Sequence, residues 1–166
     1  MGDGGRENPT CGGGDPLDVG AREPAAGRPR VDAGPVEELL EKAAKGDAAA
    51  QVALAIRYRD GKDVKQDNVE AMRWAHLAAD KGNADAMEFV GFAYLRGSMI
   101  ARRPEIALGY FKAAAEKSAQ AAFNLGQCYF GAQGTAQDCA KALEWWEKAA
   151  ERGHGRAAAT AAMAYL

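Results

Sequence analysis

The chain is short of the residues that usually carry chemistry. Two histidines and three cysteines in 166 residues leave little for acid–base pairs, and an odd cysteine count argues against a disulfide framework. No apolar run approaches the ~18 residues a membrane-spanning helix needs. Lys and Arg number 21 against 23 Asp and Glu, and the two signs are intermixed, so no basic footprint gathers phosphates and nucleic acid is not an expected partner. There is no G-x-S-x-G elbow, and "GAQGTAQD" lacks the lysine of a phosphate-binding loop. The opening residues show no basic-then-apolar leader pattern, and Arg6 stands where a myristoylation motif needs Ser or Thr. The default expectation is therefore a cytoplasmic protein.

The same scarcity leaves no catalytic, cofactor-binding or metal-ligating residue to assign. A zinc set drawn from Cys128, Cys139 and His154 would have spacings unlike any familiar finger. The neighbouring carboxylates Glu37 and Glu38, and Glu144 and Glu147, read as solvated helix faces.

What is present is a repeat. Five of the six prolines fall within the first 35 residues, among recurrent glycines such as "CGGGDP". Residues 1–34 cannot bury enough apolar area to offset chain ordering, and they read as a disordered tail. Beyond it Tyr58, Tyr94, Tyr129 and Tyr165 stand 36, 35 and 36 residues apart. Small or apolar residues precede each tyrosine at helical spacing: Ala50, Leu54, Ala55; Ala86, Val90, Gly91; Ala121, Leu125, Gly126; Ala157, Ala161, Ala162. After each of the first three tyrosines come a Gly-containing loop and a second stripe: Ala71, Trp74, Ala75, Ala78; Ala107, Tyr110, Phe111, Ala114; Ala142, Trp145, Trp146, Ala149. Val36, Leu39, Leu40 and Ala43 open the region with one more copy of that second stripe.

The punctuation agrees. Asp67 and Asp138 stand where second helices begin and can accept from their free N–H groups, and Pro104 suits a first helical position. Gly46, Gly82 and Gly153 fit left-handed stops, followed by Asp47, Asn83 and His154 as caps of the next helix. In the second repeat Arg103 replaces the acidic cap and Ser118 stands where glycine would end the helix, while Ala132 replaces the first loop glycine of the third. The expected fold is all-α: about eight helices in antiparallel pairs, stacked as an α-solenoid over residues 35–166, with no strand. Stacking is required because one helix pair cannot cover both of its apolar sides. The first of each large pair, Trp74, Tyr110 or Trp145, is expected to fill the seam with its own first helix, and the next residue to face the neighbouring repeat.

The phrases "NLGQCY", an acidic cap nine residues after the tyrosine, and "KALEWWEKAAERGH" resemble the Sel-one-like repeat (SLR), a relative of the tetratricopeptide repeat. On this resemblance the repeats span about 48–83, 84–119 and 120–154, with half repeats at 35–47 and 155–166. The resemblance implies a scaffold that binds other proteins and does not imply a reaction, and the expectation is of a protein that is not an enzyme. A cysteine-rich branch of the family includes small hydrolases and β-lactam binders and carries paired cysteines in every repeat. This sequence lacks those pairs, and Cys128 and Cys139 read as buried or half-buried thiols not joined to each other. A purely structural spacer is the third reading.

Groove positions carried over from tetratricopeptide repeats select Val52, Ile56 and Arg59; Glu88, Phe92, Leu95 and Arg96; Phe123, Gln127 and Phe130; and Ala159 and Met163. These define an apolar strip that would accept an amphipathic helix or an extended peptide of a protein partner, with Arg59, Glu88 and Arg96 setting its orientation. Phe92, Leu95 and Phe130 are the members expected to be most open, while Phe123 fits a role sealing repeat against repeat. The segment "GRAAATAAMAYL" offers Ala158, Thr160 and Ala164 where a capping repeat would carry charges. Either the array continues or that end meets another surface, such as a second copy.

Overall fold

The computed structural model describes residues 36–164. The expected disordered tail, Cys11 and Tyr165 lie outside the described residues. Within them are eight helices and no strand: α1 (Val36–Ala44), α2 (Ala48–Asp60), α3 (Asn68–Asp80), α4 (Ala84–Arg96), α5 (Pro104–Ala115), α6 (Ala119–Phe130), α7 (Cys139–Glu151) and α8 (Gly155–Ala164). Each lies against the next in chain order, so the fold is an all-α solenoid of antiparallel helix pairs. No described helix is long and apolar enough to cross a membrane.

Helix ends follow the punctuation. The carboxylates of Asp47, Asp67 and Asp138 and the amide oxygen of Asn83 accept backbone N–H groups at the starts of α2, α3, α7 and α4. Pro104 opens α5, whose preceding residue Arg103 makes no side-chain cap. Gly46, Gly82 and Gly153 adopt φ of 95°, 78° and 86°, the left-handed region where a Cβ is penalised.

One junction differs from expectation. Ser118 does not terminate α5; it caps α6, its Oγ accepting the Ala121 N–H at 3.3 Å. The residue in the place of the missing glycine is Lys117. Because α5 has 12 residues where α3 and α7 have 13, the turn closes one residue earlier. Lys117 keeps negative φ, since the described non-glycine residues with positive φ are Asp63 and Ala132.

Ala132 marks a different cost. It adopts φ 52°, where its counterparts Gly61 and Gly97 adopt 67° and 68°. The same closing bond explains why it must: Gln133 N–H donates to the Cys128 carbonyl at 2.9 Å, as Lys62 N–H does to that of Arg57 at 3.1 Å. An alanine there costs about 1–2 kcal/mol, of which glycine's greater freedom in the unfolded chain returns part. Ala132→Gly is expected to stabilise the protein by ~0.5–1 kcal/mol, read as an upward shift of the urea midpoint with unchanged slope.

The seam inside each pair reverses the expected roles of the rings. It is the second residue that is buried within its own repeat: Ala75 and Phe111 are fully enclosed and Trp146 is 2% exposed, whereas Trp74, Tyr110 and Trp145 are half-buried. The first-helix residue opposite is matched in size. A Cβ on Gly91 would lie 2.8 Å from Phe111 Cε1, and one on Gly126 would lie 2.5 Å from Trp146 Cδ1 and Nε1. Where the second helix offers only Ala75, the first offers Ala55, in one cluster with it. Helix geometry accounts for the reversal. At about 100° per residue, Trp146 lies roughly 40° from the line of Ala142, and Trp145 roughly 60° on the other side.

Two of the first rings reach the preceding repeat, Tyr110 through His76 and Trp74 through Leu39 and Ala43. Tyr110 stacks on Tyr94 at 6.3 Å and meets His76 Nδ1 through its hydroxyl at 3.1 Å. Trp74 joins Leu39, Ala43 and Leu54. Trp145 instead carries the Lys148 ammonium 4.1 Å from its ring centroid.

Candidate functional site

The groove positions occupy α2, α4, α6 and α8, but they are not equally available. Ile56 is 38% and Met163 68% exposed, and Arg59, Arg96 and Ala159 are exposed. Val52, Phe92, Leu95, Gln127 and Phe130 are half-buried. Two positions are enclosed. Phe123 is 2% exposed, stacked on the His154 ring at 4.4 Å, which agrees with a sealing role. Glu88 is 7% exposed and its carboxylate accepts from the Ser118 hydroxyl at the start of α6. The expectation that Glu88 orients a partner from an open face therefore gives way: it holds one repeat to the next, because α6 presents its N-terminus there and an acidic group is favoured at a helix start.

Phe92, Leu95 and Phe130, expected to be the most open, rest partly on the core. Phe92 meets Phe111 edge-on at 5.3 Å and Phe130 meets Trp146 at 5.4 Å. Phe92 shares the repeat position of Ile56 and Met163, and Leu95 and Phe130 share that of Arg59. Arg96 lies over the Phe92 ring at 5.5 Å, and Arg59 over Phe89 at 5.4 Å while paired with Asp60 at 2.7 Å. That pairing holds the Asp60 carboxyl below its ordinary range.

The loops beside this face share a closure that sequence reasoning missed. Backbone N–H groups of Asp67, Arg103 and Asp138 donate to the carbonyls of Tyr58, Tyr94 and Tyr129 at 2.9, 2.8 and 3.0 Å. One residue earlier, the side chains of Gln66, Arg102 and Gln137 donate to the carbonyls of Arg59, Leu95 and Phe130 at 2.7, 2.9 and 2.9 Å. The signal was available: a long side-chain donor recurs eight residues after each tyrosine. It was hidden because Arg102 and the two glutamines differ in charge and share only an N–H.

Cys128 is a free thiol, buried, and burial pushes its pKa up to about 12, so it is not poised as a nucleophile. Cys139 is half-buried and, against expectation, not a free thiol; it is not joined to Cys128. Among the described residues no three His, Cys, Asp or Glu side chains gather as a metal-ligand set.

Comparison with known proteins bears on this helical array directly. The family model described as the Sel1 repeat matches residues 48–83, 84–118 and 119–154. The chain belongs to the Sel1 repeat family.

A Sel1 repeat protein from Oxalobacter formigenes superposes with a TM-score of 0.70 at 31% identity, over 76% of this chain and 96% of that one. The protective antigen c5321 of uropathogenic Escherichia coli, described as displaying an SLR fold, gives 0.72 at 34% identity over 74% of this chain; the match spans 26% of that longer protein. Cysteine-rich protein B of Helicobacter pylori gives 0.61 at 14% identity over 75% of this chain and 90% of that one, a likeness of fold alone. A search of curated proteins returned no match. Sel1 repeats generally mediate protein interactions. In this Sel1 repeat chain the matched repeats contain the row from Val52 to Phe130, and Met163 extends it beyond the third match.

Proposed function

We propose that the protein is a non-catalytic interaction module that holds a peptide or helix of a partner protein along the exposed side of its first helices. The observation that supports this reading is a row with one residue per repeat, Ile56, Phe92, Gln127 and Met163, flanked by Arg59, Leu95 and Phe130. It offers apolar anchors on a rigid frame, with cations at its margin, the arrangement from which helix-in-groove and extended-peptide recognition are built. Three of its four members are apolar, and Gln127 interrupts the strip with a group able to bond a partner's backbone.

Position-dependent photocrosslinking tests the reading. A photoreactive side chain at Ile56 or Met163 of the full chain is expected to capture a partner. The same group at Val69 or Leu77, which are 77% and 40% exposed on α3, is expected to capture none. Equal capture from α3, or capture from α3 alone, would overturn the assignment of the face.

A further inference from the structure

Of the four residues that stand directly before first helices, three are Asp47, Asn83 and Ser118, whose side chains accept backbone N–H groups through an oxygen. The fourth is a histidine. His154 Nδ1 accepts the Ala157 N–H at 3.1 Å, and Nε2 lies 3.0 Å from Gln120 Oε1 on α6. These two bonds fix the tautomer: Nδ1 must present its lone pair to the helix, so the proton sits on Nε2 and is donated to the glutamine. A second proton can go only on Nδ1, and there it removes the side-chain half of a shared cap, leaving the Ala157 N–H its bond to the His154 carbonyl at 3.0 Å.

We propose that His154 is an acid-sensitive latch for α8: the neutral imidazole caps α8 and ties it to α6, and the imidazolium releases it. Among the described residues of α8 the buried side chains are Ala157 and Ala161, two methyl groups, so a side-chain cap and a bond to α6 matter to the docking of this part of the helix.

Among the described residues the surroundings give the cation no partner. α6 contains no charged residue. On α8 Arg156 is itself cationic and lies over Phe123 at 5.8 Å, the ring on which His154 stacks. From the end of α7, Arg152 is spent on the Ala115 carbonyl and Glu116, Glu151 is exposed, and Lys117 at the foot of α6 bonds the Gly82 carbonyl. Burial first, and the Arg156 charge second, hold the imidazole below its ordinary 6.5. The sign follows. The undocked helix leaves a histidine that takes a proton more readily, so docking is fully favoured above about pH 6.5 and weakens as pH falls below it. Met163 rides on α8, so release would also remove the end of the row proposed above; that consequence rests on the binding proposal, whereas the latch does not.

Hydrogen–deuterium exchange of the full chain tests the latch without any ligand. Protection of the α8 amides, corrected for the intrinsic pH dependence of exchange, is expected to fall about fivefold to tenfold between about pH 7.5 and pH 5. His154→Asn keeps an oxygen acceptor at the cap, as Asn83 does before α4, and is expected to hold α8 protection constant over that range. An unchanged wild type would overturn the proposal. So would an Asn variant that loses as much protection on acidification as the parent, since His76 or the carboxylates would then be responsible.

Discussion

Trp146→Ala is expected to remove about 3–5 kcal/mol of stability, while Trp145→Ala removes about 1–2 kcal/mol, although the two residues are neighbours of the same type. The difference lies in what each ring touches. Trp146 is 2% exposed and faces a glycine whose missing side chain is the space the indole occupies, so truncation opens a cavity that Gly126 cannot fill. Trp145 is half-buried beside Lys148, and water replaces part of what it loses. Trp146→Phe is expected to be mild. Its indole N–H is buried without a hydrogen-bond partner, a donor whose removal recovers desolvation energy, and phenylalanine is the residue at the equivalent position 111. Against a total stability of order 5–15 kcal/mol the alanine variant stands near the threshold of folding. Because each repeat leans only on its neighbours, the damage is expected to concentrate in α6, α7 and α8. Urea unfolding gives the magnitude, and amide exchange by segment gives the location; equal losses from the two tryptophan variants would contradict the seam.

The architecture was legible because it is written several times. The spacing of Tyr58, Tyr94 and Tyr129 fixed the repeat, and the glycines at 46, 82 and 153 with their following caps fixed the helix ends, since left-handed φ and free N–H groups each admit few residue types. The choice between Trp145 and Trp146 was harder, because the two lie on either side of the stripe and differ by only about 20° in distance from its centre. Even so, the pattern was present in the pairs Ala55 with Ala75, Gly91 with Phe111, and Gly126 with Trp146: the first helix is smallest where the second is largest. Size matching across two helices is not visible in either helix read by itself. Glu88 failed for a related reason. Its exposure was inferred from its place on α4, but its burial comes from Ser118, 30 residues away, and a charge that looks solvated on one element is enclosed once the next is laid beside it. Exposure along the carried-over groove positions was misjudged in the same way: Phe92, expected among the most open, is half-buried because Phe111 of α5 lies against it, while Ile56 and Met163 are exposed.

Gly126→Ala is expected to lose about 2 kcal/mol net, the reverse of what helix propensity predicts. In a free helix the change gains about 1 kcal/mol. In α6 the new methyl would lie 2.5 Å from two indole atoms and 3.0 Å from the Ala142 carbonyl oxygen. The ring is fully packed and the carbonyl belongs to a helix backbone, so neither yields cheaply, and overpacking of this kind costs about 3 kcal/mol. Gly109 supplies the control. It lies inside α5 with nothing within 4 Å of an added Cβ, so Gly109→Ala should realise the propensity gain, up to ~1 kcal/mol. The decisive comparison is between backgrounds. Once Trp146→Ala has emptied the seam, Gly126→Ala should change sign and stabilise by about 1 kcal/mol, because the pair then has the sizes of Ala55 and Ala75 and the methyl enters the cavity. A loss of the same size in both backgrounds would mean that the glycine is required by the helix backbone and not by the ring.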